Sequence, residues 1–405
     1  MTDAAERWLL DRELFGMRFG LDRMRRLLTA LGSPQERFRA IHVVGTNGKS
    51  STTRFAAALV GPRSGAFLSP HLVSFRERIR IGDDDLAPEA FAAAIERVAA
   101  AAEKVDRTLA EGDRVTQFEA LTAAAYSEFA RCGVEAAVVE AGLGGRWDAT
   151  NVIDAEVVVL TNVGLEHTRW LGPTVRDIAR EKLAVVKPGA TLVLTAGLHP
   201  DAREEAERAP AGRIVVAPDD AHVALGALGA FQRGNFALAK TAAEALAGEL
   251  SDERVRAAAA SVRVPGRFEV VGERPLTILD GAHNPGGMKA LAAAVAAEPR
   301  RPLVAVLSVL DDKDAGEMLR ALLPACDAVV ATSNANPRAL SPGTIASLTE
   351  QLHGPPAVIE ADPHRALERA RELAGPDGAV LATGSIYLVA DLLTPAGAAG
   401  RRSVL

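Results

Sequence analysis

The chain has 405 residues, 48% of them apolar and 24% charged, with a net charge of −6. That length accommodates two or three domains, and that balance is the composition of a globular protein with a sizeable core. No stretch is strongly basic, which argues against nucleic acid as a partner, and no apolar run approaches the ~20 residues that span a bilayer. The N-terminal stretch 1–16 is charged and periodic and lacks the apolar run of an export signal, so a cytoplasmic protein without a membrane partner is expected. Cys132 and Cys326 lie far apart, without metal-ligand spacing, and read as reduced core residues.

In chain order, residues 21–31 carry apolar side chains at helical spacing and stop at Gly32-Ser33-Pro34, a helix followed by a turn. Residues 41–44 form a β-branched run that ends in the Gly-containing loop 45–51, and residues 52–60 read as a helix. The Ala-rich stretch 90–102 carries charges and reads as a surface helix. Residues 117–131 suit a helix, 136–140 a buried strand, 157–161 a strand, 174–186 a helix, and 191–195 a strand. Such alternation argues a mostly parallel sheet with helices on both faces. A second alternation has strands at 276–279, 303–307, 328–331, 357–359 and 379–382, and Val264-Pro265-Gly266-Arg267 punctuates the junction. The expected architecture is α/β: an N-terminal P-loop ATPase domain, 1–267, and a smaller Rossmann-like α/β domain, 268–405. Ligands are expected in the cleft between them, at the C-terminal ends of strands.

The loop Gly45-Thr46-Asn47-Gly48-Lys49-Ser50-Ser51 has the chemistry of a phosphate cradle. Its glycines let successive N–H groups turn toward phosphate oxygens, and the following helix presents its positive end to the same anion. Lys49 can reach the β- and γ-phosphates, and a neighbouring hydroxyl can approach Mg²⁺. Val43 stands where the common form of this motif has a glycine, so the match is to a shorter variant.

GTNGKSST at 45–52, SPHL at 69–72 and EAGLGGRWDATN at 140–151 together resemble the dihydrofolate synthase/folylpolyglutamate synthase family of the Mur ligase superfamily. The resemblance continues, in one order, through TQFE at 116–119, HTRWLGPT at 167–174, EK at 181–182, PGRFE at 265–269, DGAHNPGG at 280–287, DDKD at 311–314 and GSIYL at 384–388. It implies an ATP-dependent ligase that phosphorylates a substrate carboxylate and lets the amine of L-glutamate displace the phosphate. Crowded negative charge in such a reaction is offset by cations and metal ions.

The resemblance also implies roles residue by residue. Lys49, Lys182, His167 and Arg267 are the catalytic candidates. Thr46, Asn47, Gly48, Lys49, Ser50, Ser51 and Asn235 contact ATP from the first domain; Arg267 at the junction and Asp280 and His283 in the second contact it too. Ser69 and Glu140 hold one Mg²⁺, and His167 and Lys182 belong to a second. Lys182 is carried as a carbamate by implication; an unmodified lysine bound to Glu181 or phosphate is the other reading. Thr116, Phe118 and Glu119, with Trp147, Asp148 and Ala149, match segments that contact the flat pterin. The expected partners are ATP, L-glutamate and dihydropteroate or a reduced folate, and the expected state is a monomer.

Ser50 departs from the family's usual Gly-Lys-Gly-Ser, and the segment 61–65 before Ser69 reads as a compact connection. A peptidoglycan-precursor ligase of the same superfamily is one alternative. Such enzymes usually carry Gly-Lys-Thr and an additional N-terminal domain, for which a loop starting at Gly45 leaves no room. A regulatory P-loop ATPase is the alternative from another class, and it needs no second α/β domain joined through Pro-Gly-Arg.

Overall fold

The computed structural model describes residues 2–12 and 19–395. They form two compact units. One holds the chain through Leu225 together with Arg233–Val262, the other Gly226–Gln232 and the chain from Arg263 onward.

The first unit is built on eight strands: β1 (Arg39–Val44), β2 (Ser64–Phe67), β3 (Ile79–Ile81), β4 (Asp84–Asp85), β5 (Ala136–Glu140), β6 (Val157–Leu160), β7 (Thr191–Thr195) and β8 (Arg213–Ala217). Their order across the sheet is β4-β3-β2-β5-β1-β6-β7-β8. From β2 to β8 neighbouring strands run parallel, and β3 and β4 add an antiparallel edge. The central strands are unbroken apolar runs such as Val-Val-Val-Leu in β6, because both of their faces are covered. Around them lie α1 (Thr2–Asp11), α2 (Asp22–Ala30), α3 (Lys49–Val60), α4 (Pro88–Asp106), α5 (Gln117–Arg131), α6 (Thr168–Leu171), α7 (Val175–Leu183), α8 (Pro200–Glu207), α9 (Phe231–Ala247) and α10 (Asp252–Ser261). In α4 the residues Phe91, Ile95, Val98 and Ala102 bury one stripe while the charges stay outside.

The second unit has β9 (Glu269–Glu273), β10 (Leu276–Leu279), β11 (Leu303–Leu307), β12 (Ala328–Ala331), β13 (Ala357–Ile359) and β14 (Ala379–Thr383). Their order is β13-β12-β11-β14-β10-β9, parallel except for β9 on the edge. Ile278, Leu307, Met318, Val329 and Leu381 are among its core residues.

Three expectations need correction. The helix after the phosphate loop begins at Lys49 rather than residue 52, since the loop's last residues are its first turn. The connection 61–65 is partly strand, because Ser64–Phe67 pairs with both β3 and β5. Cys132 is exposed, because it caps the C-terminus of α5 beyond the helix's buried face; Cys326 is buried as expected, and burial pushes its thiol up to about 12. Of the N-terminal stretch, residues 13–16 lie outside the described residues. Among the described residues no helix is long and apolar enough to cross a membrane.

Candidate active site

The phosphate loop leaves the C-terminal end of β1. Gly45 takes φ +151, and a Cβ there would overlap the Thr161 hydroxyl. The loop is braced from the segment that follows β6. Thr46 N–H donates to the Asn162 carbonyl at 3.0 Å and Asn47 N–H to Asn162 Oδ1 at 2.9 Å. Thr161 Oγ1 donates to the Asn47 carbonyl at 2.7 Å, and Gly164 N–H to Thr46 Oγ1 at 3.1 Å. Gly48 (φ 83) stands at the N-cap of α3, and a Cβ there would overlap Asn235 Oδ1, so Asn235 of α9 stands against the loop. Lys49 Nζ folds back to the Thr46 carbonyl at 3.2 Å.

Glu140 closes β5 and is 1% exposed. Its Oε1 accepts the Ser50 hydroxyl at 2.9 Å and its Oε2 the Ser69 N–H at 3.1 Å. Three elements thus meet at one carboxylate, and its oxygens together with the Ser50 hydroxyl are hard ligands of the kind that Mg²⁺ takes. His167 begins α6 in the left-handed region (φ 51), its Nε2 3.9 Å from Glu166 Oε1. Among the described residues no three His, Cys, Asp or Glu side chains gather as a metal-binding group.

Lys182 is buried in the last turn of α7, and its Nζ donates to the Gly45 carbonyl at 2.8 Å. Glu181 is not its partner: that carboxylate takes Arg146 Nε at 2.7 Å. Burial, reinforced by the charge of Lys49, brings the Lys182 amine down to about 7 against the pull of Glu166 and Asp148.

On the substrate side, Thr116 and Glu119 form a capping box at the start of α5, with Thr116 N–H 2.8 Å from the Glu119 carboxylate. Glu119 also takes Arg23 of α2 at 3.2 Å, so both structural demands fall on one buried carboxylate. Phe118, half-buried, leans toward Phe67 with ring centroids 5.8 Å apart, and a Cβ on Gly142 would meet its ring at 2.6 Å. In the loop 142–151, Trp147 is 43% exposed, whereas Asp148 and Ala149 are buried. Asp148 ties this loop together by accepting the N–H groups of Leu143 at 2.8 Å and Thr150 at 3.0 Å. Burial pushes its carboxyl above the ordinary range, opposed by these hydrogen bonds. Phe118 and Trp147 therefore offer aromatic surface, while Glu119, Asp148 and Ala149 serve the local framework.

In the second unit Asp280 follows β10, with Oδ1 accepting Ala282 N–H and Oδ2 accepting Phe268 N–H, each at 2.8 Å. Arg267 Nη1 donates to the Gly266 carbonyl at 2.9 Å and leaves no room for a Cβ at Gly281. His283 Nδ1 lies 2.8 Å from the Gly281 carbonyl, and Gly281 N–H donates to the Gly266 carbonyl at 2.8 Å, so the turn 280–283 is tied to the segment bearing Arg267. The brace at 161–164 was missed in the sequence; its only signal is a Thr-Asn pair directly after an apolar strand.

Residues 266–386 match the model of the Mur ligase, glutamate ligase domain. A dihydrofolate synthase/folylpolyglutamate synthase of Mycobacterium tuberculosis is 37% identical, over 84% of this chain and 80% of its own. A probable bifunctional folylpolyglutamate synthase/dihydropteroate synthase of Haloferax volcanii is 35% identical over 96% of this chain, which spans only 50% of that relative's length. Among solved structures, M. tuberculosis folylpolyglutamate synthase complexed with ADP and AMPPCP superposes with a TM-score of 0.89 at 33% identity, covering 99% of this chain and 100% of that one. Escherichia coli FolC in complex with DHPP and ADP gives 0.84 at 28% identity over 97% and 96% of the two chains. A folylpolyglutamate synthase/dihydrofolate synthase with Mn, AMPPNP and L-glutamate bound gives 0.83 at 27%, over 96% and 97%. With these relatives spanning nearly all of it, the chain belongs to the dihydrofolate synthase/folylpolyglutamate synthase family of ATP-dependent glutamate ligases, within the Mur ligase superfamily.

Proposed function

We propose that this chain joins L-glutamate both to dihydropteroate and to reduced folates, using ATP to activate the pterin carboxylate as an acyl phosphate. The observation that carries the reading is the buried Lys182 amine, held near neutrality 2.8 Å from a carbonyl of the phosphate loop. An amine at about 7 is substantially unprotonated at working pH, the form that adds CO₂ to give a carbamate. Residues 1–267 would bind ATP and the pterin, and 268–405 would contribute contacts to ATP and glutamate.

In this reading the N–H groups of the loop 45–48 and Lys49 orient the triphosphate, and Asn235 flanks it. Glu140, Ser50 and Ser69 fit one Mg²⁺, and His167 with carbamylated Lys182 would hold another. Bound there, Mg²⁺ offsets the charge shared by triphosphate and carboxylate. Arg267 meets the charge that builds on the transferring phosphoryl group, and Asp280 and His283 contact the nucleotide. Phe118 and Trp147 pack the pterin ring, on a frame set by Thr116, Glu119, Asp148 and Ala149. The relatives solved with ADP, DHPP, or Mn with AMPPNP and L-glutamate support this substrate set.

Release of ADP is measured with ATP, L-glutamate and each pterin separately. Turnover with both pterins, dependent on glutamate, is expected. No product with dihydropteroate ends the dual assignment, and glutamate-independent ATP hydrolysis ends the ligase reading. With ¹³C-bicarbonate, a carbamate carbon signal is expected in the wild type and not in Lys182→Ala.

A further inference from the structure

His42 lies at the middle of β1, 1% exposed, two residues before the strand delivers the chain to the phosphate loop. Strand alternation puts it on the same face as Ala40 and Val44, beneath the loop 142–151. Its Nε2 is 2.8 Å from Thr150 Oγ1. The Thr150 hydroxyl in turn donates to Asp148 Oδ1, and Asp148 also receives the N–H groups of Leu143 and Thr150. Asp148 therefore acts as an acceptor throughout, and the single hydroxyl proton of Thr150 is committed to it. Only a proton on His42 Nε2 completes the chain. Burial, together with the charge of Lys187, lowers the imidazole to about 3, so the ring is neutral at any working pH and carries one fixed tautomer.

We propose that His42 is a positioning residue for the pterin substrate, acting through Thr150 and Asp148 to fix the loop that carries Trp147. This rests on the reading that Trp147, exposed in this loop, packs on the pterin. The loop's own composition calls for such a tie: Gly142, Gly144 and Gly145 give its backbone freedom, which the Asp148 carboxylate limits by holding Leu143 and Thr150. Tyr126 Oη donates to the Thr150 carbonyl at 3.1 Å, and Asn151 Nδ2 to the Arg146 carbonyl at 3.0 Å, so the far end of the loop is tied as well. His42 adds a side-chain link to the strand bearing the phosphate loop, beside the backbone bond from Ala141 N–H to the Val43 carbonyl at the loop's start.

The test compares His42→Leu, His42→Gln, Thr150→Val and the double variant His42→Leu/Thr150→Val. Cutting the relay should raise KM for the pterin about fivefold to tenfold, the worth of one hydrogen bond, with kcat and the KM for ATP nearly unchanged. The double variant should be no worse than Thr150→Val alone, because that change already removes the bond His42 makes. His42→Gln, which keeps an N–H donor near the place of Nε2, should restore most of the affinity. Equal losses for ATP and pterin, or multiplied losses in the double variant, would mean that His42 merely packs. If the wild type turns over no pterin, the functional reading fails, yet the relay remains testable. In ligand-free protein, deuterium uptake by the peptide covering 142–151 should quicken in His42→Leu and Thr150→Val and not in His42→Gln. Unchanged uptake in all variants overturns the relay.

Discussion

Lys182 is a cation placed where burial disfavours its charge, and that has a consequence for stability as well as chemistry. Its folded value of about 7 lies below the ordinary 10.5 of the unfolded chain. Between those values the unfolded state binds more protons, so stability rises with pH across that window. Below about 7 the penalty of a buried ammonium is fully present; approaching 10.5 it is gone. Lys182→Met should therefore be more stable than the wild type at pH 6, and its advantage should shrink steadily as pH climbs from about 7 to 10.5. Urea midpoints of both proteins in CO₂-free buffers read this directly, and parallel profiles would show that the amine is not buried as described. Nothing in the sequence announces this environment, since Glu181-Lys182 reads locally as an ordinary charged pair on a helix. The partner that matters, Gly45, is distant in the chain, and Glu181 turns instead to Arg146.

At the scale of elements, what was legible had a local cause. Unbroken β-branched runs marked the central strands, and the stretch 117–131 read as a helix matches α5, whose start Thr116 and Glu119 cap in the structure. The strands β2, β3, β4, β8 and β9 escaped notice: the first three have only two to four residues, and β8 and β9 lie on sheet edges with most of their side chains outside the core, so no buried run marks them. The site was legible in its residues more than in its contacts: Glu140, Ser50 and Ser69 converge, whereas Glu119 and Asp148 turn out to serve the framework. Close backbone packing is another thing a sequence hides. A Cβ on Gly145 would stand 2.7 Å from the carbonyl oxygens of Glu181 and Lys182, so this glycine lets the loop 142–151 rest on the last turn of α7. Gly145→Ala should cost about 1–3 kcal/mol, the usual range for overpacking, and should depress activity by displacing Lys182. Gly197→Ala, with nothing within 4 Å of its added Cβ, is the control and should stay within about 0.5 kcal/mol. Equal stabilities of the two variants, by thermal melting, would show that the loop yields freely.

For the whole molecule, the two alternations of strand and helix read from the sequence correspond to two sheets, each with its own topology. The junction is less simple than one break, since Gly226–Gln232 belongs to the second unit although the chain then returns to the first. Among the described residues, the second unit's core cluster draws its members from 268–381, with Ile278, Leu307, Val329 and Leu381 on four neighbouring strands. A parallel sheet whose apolar face is covered by its own helices has what a domain needs to fold alone. Residues 263–395, expressed separately, should show helix and strand by circular dichroism and melt in one cooperative transition. The missing 226–232 should only lower its midpoint, because Phe231 and Phe268 both pack near Gly229 and the latter would lose that cover. A broad, non-cooperative melt would instead make the second sheet dependent on the rest of the chain, and would remove the argument that its core is self-sufficient.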